Sequence, residues 1–412
     1  MTHRTPLALH NLWHQRVKTA VSVGGVAFAL LLVFMQLGFM GAVSHTATNL
    51  MEQLEFDVML RARDYVHLYE AGQIDRHAMV VAHNTPGVLQ AFPLWIALRN
   101  WRTMPNYRQQ AEGSFESRYL PMAVMAFPPD QCAFNIRQIQ DQCELLKNED
   151  VLLIDRSTQA EYGPWDGQAF TKLDIGRQTE IGGAAFTIGG LFPLGTGLAA
   201  NGAVITSHRG FARLSPWDIR TTTSLGLLQL ANRDPQWQAE VVLGIKQRLR
   251  LAAAPEGEAN IPLAGSVDVL TKAEALEREQ VRWLWQTPLG LIFQLGVVLS
   301  LLVGSAIVYM VLATDVANRL PEYATLLAIG YSRVYLAGLV MTQALVLCAL
   351  GFAAAWGIAE ILYRLTYGFS GIPLMMNPLR VVSVAGLGLV MSCVSGLLAL
   401  RKLWQAEPAS LF

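Results

Sequence analysis

The chain has 412 residues, 52% of them hydrophobic and 15% charged, with a formal net charge of +0 and a mean hydropathy of +0.32. Soluble domains carry about 25% charged residues, so the composition is that of a membrane protein with a sizeable part outside the bilayer. Zero net charge without a Lys/Arg cluster argues against nucleic acid as a partner.

Residues Thr5–Lys18 read as an interfacial helix. Thr5 can cap it, Pro6 suits the first turn, and Leu9, Leu12, Trp13 and Val17 make one apolar face. His10 and His14 lie four apart, a spacing that can bind a metal, but without further ligands they read as a polar face wetted by solvent and headgroups. Thr19–Ser44 has no charged residue, exceeds the roughly 7–15 residues of a signal-peptide core and has no clear cleavage pattern, so it reads as a retained first span. Arg4, Arg16 and Lys18 precede it and place the N-terminus in the cytoplasm.

Residues 45–286 hold no apolar stretch long enough to span and form a large extracytoplasmic region. Thr46–Phe56 continues the first helix outward as a stalk. Strand-like runs follow at Asp57–Leu60, Tyr65–Leu68, Val151–Ile154, Thr179–Ile188 and Ala203–Thr206, with Gly182-Gly183 and Gly189-Gly190 as turns. Ser224–Ala231 reads as a strand, Asp234-Pro235 as a cap, Trp237–Leu249 as a helix and Ser266–Leu270 as a second strand. That unit argues for a mixed α/β domain inserted between the first and second membrane helices. Cys132 and Cys143 are its only cysteines and can form a disulfide in an oxidising space, the alternative being two free thiols. Cys348 and Cys393 lie in apolar runs as small hydrophobes. Thr271–Trp285, with Lys272, Glu274, Glu277, Arg278, Glu279 and Arg282, reads as a charged helix feeding directly into the second span, either to transmit force or as a plain solvated stalk.

The remaining spans are 287–313, 334–360 and 381–400, an α-helical membrane part with four transmembrane helices in all. Residues 361–380 form an outer loop, and 401–412, opening on Arg401 and Lys402, a cytoplasmic tail. Small residues recur every fourth position in three ridges: Gly296, Ser300 and Gly304; Ala349, Ala353 and Gly357; Gly388, Ser392 and Gly396. Such ridges let helices approach closely, within one chain or between copies. Gln36, Gln294 and Gln343 are amides near membrane depth, serving either a polar pathway or interhelical hydrogen bonds.

Between the second and third spans, 314–333 reads as a short cytoplasmic helix. Pro321 and Glu322 suit its start, and Gly330 can take the left-handed conformation that ends it. Tyr323, Leu326, Leu327 and Gly330 set an apolar stripe expected to meet a partner at the membrane surface. The chain has no phosphate loop, since Gly195-Thr-Gly197 lacks the lysine, and no metalloprotease, nucleophile-elbow or Cys-x-x-Cys motif. It reads as no enzyme, without a cofactor or metal of its own, so the energy for any transport must come from another chain.

Thr314-Asp-Val316, Leu320-Pro-Glu-Tyr-Ala-Thr-Leu326 and Ala328-Ile-Gly-Tyr-Ser332 resemble the DevC branch of the FtsX/MacB-like ABC transporter permeases. Trp285-Gln-Thr-Pro-Leu-Gly-Leu-Ile-Phe293, Gln343-Ala-Leu and the ending Ala406-Glu-Pro-Ala-Ser-Leu-Phe412 are similar too, although the family more often has Asp-Pro at Glu407-Pro408. The resemblance covers the first apolar segment and about Val267 onward. It implies the permease of a tripartite exporter in the bacterial inner membrane, a homodimer contacting lipid. Its partners would be an ABC ATPase subunit that binds the ATP, a periplasmic adaptor and, through it, an outer-membrane channel. Glu322, Tyr323, Leu326, Leu327, Ile329 and Gly330 would couple to the ATPase, and the cargo would be a glycolipid or similar amphiphile. It also implies two periplasmic lobes, the variable one at about 84–194. The alternatives are a lipoprotein-releasing or drug- or peptide-exporting permease of the same superfamily, or an FtsX-type regulator of a cell-wall hydrolase.

Overall fold

The computed structural model describes residues 16–113, 115–195, 197–252, 267–318, 320–370 and 372–405. Its longer helices are α1 (Arg16–Gln53), α2 (Arg76–His83), α3 (Pro235–Ala252), α4 (Lys272–Trp285), α5 (Pro288–Asn318), α6 (Leu320–Ala328), α7 (Arg333–Ser370) and α8 (Pro378–Gln405). They belong to two compact units, residues 1–43 with 284–412, and residues 44–283. The interfacial helix expected over Thr5–Lys18, with His10 and His14, and the ending Ala406–Phe412 lie outside the described residues, except residues 16–18, which open α1.

Among the described residues, 4 helices are long and apolar enough to cross a membrane: Thr19–Gln53, Pro288–Asn318, Arg333–Phe369 and Pro378–Leu400. Some boundaries differ from those expected. α5 runs on through Asn318, with Thr314 Oγ1 donating back to Met310 O at 2.7 Å. α7 passes Glu360 to reach Ser370, with Arg364 paired to Glu360 one turn away at 2.9 Å, so the outer loop expected over 361–380 is mostly helix. α4 does not feed straight into α5. Pro288 has no N–H to continue a helix, and Thr287 Oγ1 instead accepts from Gly290 N at 3.4 Å as the cap of α5.

The bundle core takes Val26, Leu30 and Phe34 from α1, Val308 and Leu312 from α5, Ala344 and Leu347 from α7, and Val384 and Met391 from α8. Small residues set how closely these helices approach. A Cβ on Gly304 would stand 2.6 Å from Met391 Sδ and 2.7 Å from Ala29 Cβ, and one on Gly296 would overlap the Gln36 side chain. Ser300, buried between them, donates to Gly296 O at 2.7 Å. The Gly296–Ser300–Gly304 ridge therefore packs inside the chain. Gly388 and Gly396 lie likewise against Leu30 and Met341, whereas Ala349, Ala353 and Gly357 are exposed.

The second unit contains β1 (Val58–Ala62), β2 (Ile74–Asp75), β3 (Val88–Arg102), β4 (Tyr119–Phe127), β5 (Val151–Asp155), β6 (Gln178–Ile181), β7 (Ala184–Phe192), β8 (Ala203–Ser207), β9 (Thr222–Thr223), β10 (Leu225–Leu230) and β11 (Val267–Thr271). A 9-stranded sheet runs β11-β1-β10-β3-β4-β8-β5-β7-β6, and β6 pairs back onto β3 at Trp101↔Ile181. Two lobes thus share β3. Its first half pairs antiparallel with β10, completing β11-β1-β10-β3 with α2 and α3 on one face, a β-α-β-β-α-β unit in chain order. Its second half, from Trp95, pairs with β4 and closes a barrel. The second lobe is therefore the insertion between β3 and β10. This differs from the 84–194 expected, because the first half of β3, inside that range, pairs with β10 of the other lobe, and β8, beyond its end, pairs with β4 and β5.

Alternation of side chains fills both sides of the barrel wall. Met122, Val124 and Ala126 of β4 join Trp101 and Phe186 in the barrel core, while Ala123, Met125 and Phe127 join Leu50, Met51 and Leu54 from the end of α1. Because both faces are apolar, β4 shows no polar alternation. Pro93 and Pro121, which cannot donate to a ladder, further mask β3 and β4 in the sequence. Gly182 and Gly183 take φ of 55° and 86° in the turn between β6 and β7, whereas Gly189 and Gly190, expected as a turn, lie within β7 at a register shift. Tyr65–Leu68 is not a strand; Tyr65 O–H and Leu68 N hold it to α4 by donating to Glu279.

Candidate functional site

The short helix α6 is closed at its end by backbone geometry. Ile329 N donates to Thr325 O at 3.0 Å, Tyr331 N reaches back to Leu326 O at 3.0 Å, and Gly330 between them has φ 104°. A residue with a Cβ pays for that conformation, which is why the position suits glycine. Ser332 then caps α7, its Oγ accepting from Tyr335 N at 3.2 Å.

The faces of α6 correct the expected stripe. Tyr323 is 2% exposed and packs with Val316, Leu336, Val340 and Leu400, and Leu326 is partly buried against the same cluster. Both anchor α6 to its own bundle and are not offered outward. The side chain of Leu327 lies outside the described ones. Glu322, Thr325 and Ile329, three and four residues apart, are exposed together, Ile329 at 71%. Just beyond the turn, Val334 is 80% exposed.

A second constellation lies in the sheet-rich unit, at α4. Thr271 and Glu274 form a reciprocal cap, Thr271 N donating to Glu274 Oε2 at 3.0 Å and Glu274 N to Thr271 Oγ1 at 3.3 Å. Ala275, Glu279 and Trp283 then share one face. Glu279 is 1% exposed and accepts from Tyr65 O–H at 2.7 Å, Leu68 N at 3.3 Å and Trp283 Nε1 at 3.0 Å. Burial, and next the Glu279 charge, push the Tyr65 phenol well above its ordinary value. In the sequence Glu279 is one charge among several on a helix that reads as a force-transmitting element or a solvated stalk. The available signal was its position one turn from Ala275 and Trp283, in the inward row. At the end of α1, Asn49 Nδ2 donates to Leu194 O at 2.6 Å, and Asp155 holds the same loop by accepting from Leu194 N at 3.0 Å and Gly195 N at 2.9 Å.

Cys132 and Cys143 are free thiols within hydrogen-bonding reach of each other, and Cys143 Sγ donates to Ile139 O at 3.2 Å. The contact pulls the Cys132 thiol down to about 7 and pushes that of Cys143 up. Of the three membrane amides, Gln294 donates to Leu284 O at 2.6 Å, Gln36 lies on Gly296 and Gln343 is buried. No group of three or more His, Cys, Asp or Glu that could hold a metal occurs among the described residues.

A set of helices long and apolar enough to cross a membrane, with a large α/β domain inserted after the first, defines the class as a membrane protein with a sizeable sheet-rich domain. Within it, residues 295–408 match the family described as FtsX-like permease C-terminal. No curated protein matches the chain. Among solved structures, the periplasmic region of MacB from Actinobacillus actinomycetemcomitans is similar at 7% identity and a TM-score of 0.34, covering 55% of this chain and 94% of that one. The extracellular domain of the noncanonic ABC-type transporter YknZ from Gram-positive bacteria is similar at 11% identity and a TM-score of 0.32, covering 52% of this chain and 98% of that one.

Proposed function

We propose that the chain is the permease of a tripartite ABC exporter of the DevC type in a bacterial inner membrane, working as a homodimer with a separate ATPase. The ATPase grips α6. Its motion passes through the spans and along α1 and α4 to the extracytoplasmic domain, which handles a glycolipid or similar amphiphile together with a periplasmic adaptor and an outer-membrane channel. The observation that carries this reading is the outward face of Glu322, Thr325 and Ile329 on a helix anchored from behind by Tyr323. A helix of 9 residues is marginal alone in water, so a fixed cap and an anchored inner face make it a rigid edge on which a partner can dock.

The test is Ile329→Glu in the full chain, co-produced with its ATPase. Docking that buries Ile329 contributes about 1.5–3 kcal/mol, and a carboxylate there adds an unpaired buried charge. The variant should insert and melt like the parent while losing ATPase co-purification and export, and Glu322→Ala should be milder. Full co-purification and export by Ile329→Glu would remove α6 from the coupling path.

A further inference from the structure

In the sheet-rich unit, a concavity of 710 Å³ opens between α2, β3 and the turn before β9. Its floor is apolar, with Met79 of α2 and Ala91, Phe92 and Pro93 of β3, and Val80, 54% exposed, extends it. Its polar lining sets Arg76, His77, His83 and Arg220 against the one carboxylate of Asp130, beside the neutral amides of Gln90 and Gln131.

The fold brings the two arginines together. β2 pairs with β9 at Asp75↔Thr222, so the residue after β2 and the turn before β9 lie side by side. Arg76 N donates to Thr221 O at 2.8 Å, and its guanidinium lies 5.8 Å over the ring of Trp95, whose own N–H donates to Thr222 O at 2.8 Å. Arg220 is set by a turn in which its N–H donates to Asp218 Oδ1 at 2.9 Å. Elsewhere in this unit Arg61, Arg102, Arg177, Arg213 and Arg233 each pair with a carboxylate. Among the described residues, Arg76 and Arg220 make no ion pair.

A guanidinium presents forked donors that fit a phosphate or carboxylate. Two of them on the rim of an apolar floor suit a ligand with an acidic head and a hydrocarbon body. The volume lies in the roughly 300–1,000 Å³ range of small-molecule sites, and the concave shape favours such a ligand over a flat protein surface. We propose that this concavity binds an anionic amphiphile, its acidic group at Arg76 and Arg220 and its apolar body along Phe92, Met79 and Val80. The proposal deepens the export reading by giving the cargo a charge, and it rests on that reading for its role.

The experiment uses the full chain in zwitterionic nanodiscs, with the signal of empty nanodiscs subtracted. The probes are dansyl-labelled dodecyl phosphate and its neutral twin, dansyl-labelled dodecanol. Saturable binding is expected for the phosphate, weakened about tenfold or more in Arg76→Ala/Arg220→Ala, as for loss of charge-assisted hydrogen bonds. Arg220→Ala alone, whose side chain makes no hydrogen bond or ion pair among the described residues, should weaken binding with an unchanged melting temperature. Equal affinity for both probes, or unchanged binding by Arg220→Ala and the double variant, would overturn the proposal. Displacement by hexaglutamate as readily as by unlabelled dodecyl phosphate would also overturn it, indicating a docking surface for an acidic protein segment. No ATPase is needed, so failure here leaves the test at Ile329 standing, and failure there leaves this one.

Discussion

The hydroxyl of Tyr65 donates to Glu279 Oε2 at 2.7 Å, joining the loop after β1 to the inward face of α4. A buried carboxylate is tolerable only while its donors are in place. Tyr65→Phe removes the shortest of the three bonds and should cost about 1–3 kcal/mol, the penalty of an under-bonded buried polar group. Glu279→Ala should cost more, because it strands Tyr65 O–H, Leu68 N–H and the Trp283 indole together. Thermal unfolding of the full chain measures both. A Tyr65→Phe protein as stable as the parent would show that the other two donors suffice.

His67 lies on the same joint. Tyr69 N donates to its Nδ1 at 3.2 Å, its ring lies 5.3 Å from that of Trp283, and its charged neighbours are Glu70, Glu279 and Arg282. Burial is the main cause lowering its pKa from 6.5, outweighing the two carboxylates. The folded chain therefore binds this proton less tightly than the unfolded one. Its contribution to stability is complete above the unfolded value and is lost as pH falls from there through the lower folded value. Amide exchange of residues 65–70, corrected for intrinsic rates, should quicken between about pH 7.5 and about pH 5.5 as local opening becomes easier. His67→Gln should flatten that response, and a parent protein with no such quickening contradicts it.

The contact between Cys132 and Cys143 makes a disulfide the expected product in an oxidising compartment. The more acidic thiol at Cys132 supplies the thiolate that thiol–disulfide exchange requires. Closing so short a loop is worth roughly 3 kcal/mol in the chain-entropy account. Mass spectrometry of non-reduced protein should find the bridge, and Cys132→Ser should lower the melting temperature. Two free thiols in freshly isolated protein would refute the pairing.

The ridges on the spans should respond oppositely to the same change. Gly304→Leu drives a side chain into Met391 and Ala29, and overpacking of that kind costs about 1–3 kcal/mol. Gly357 has nothing within 4 Å of a built Cβ, so Gly357→Leu should leave the melting of the monomer unchanged. A lower dimer fraction in that variant, read by cross-linking, would locate the seam of the proposed homodimer on α7. Destabilisation by Gly357→Leu and not by Gly304→Leu would invert the packing described for the bundle.

What the sequence determined by itself is what depends on neighbouring residues. An uninterrupted apolar run such as Thr19–Ser44 needs only its own length to demand a bilayer. Asp234-Pro235 and Gly330 mark helix ends because a side-chain acceptor, a missing N–H and a positive φ are local properties. Other features were decided by partners far along the chain. β3 is a strand shared by two lobes because β10, β4 and β6 pair with it, and its own Pro93 argues otherwise. The periodicity of α6 shows a stripe containing Tyr323 and Leu326, but only its packing on Val316 and Leu400 turns that stripe inward and leaves Ile329 outside. Glu279 reads as one more charge of its helix until Tyr65 is brought to it. Arg76 and Arg220 are adjacent only because β2 pairs with β9. Pairing across such separations requires closing long loops, a cost met by the cooperative burial of the whole core and invisible in any short window of sequence.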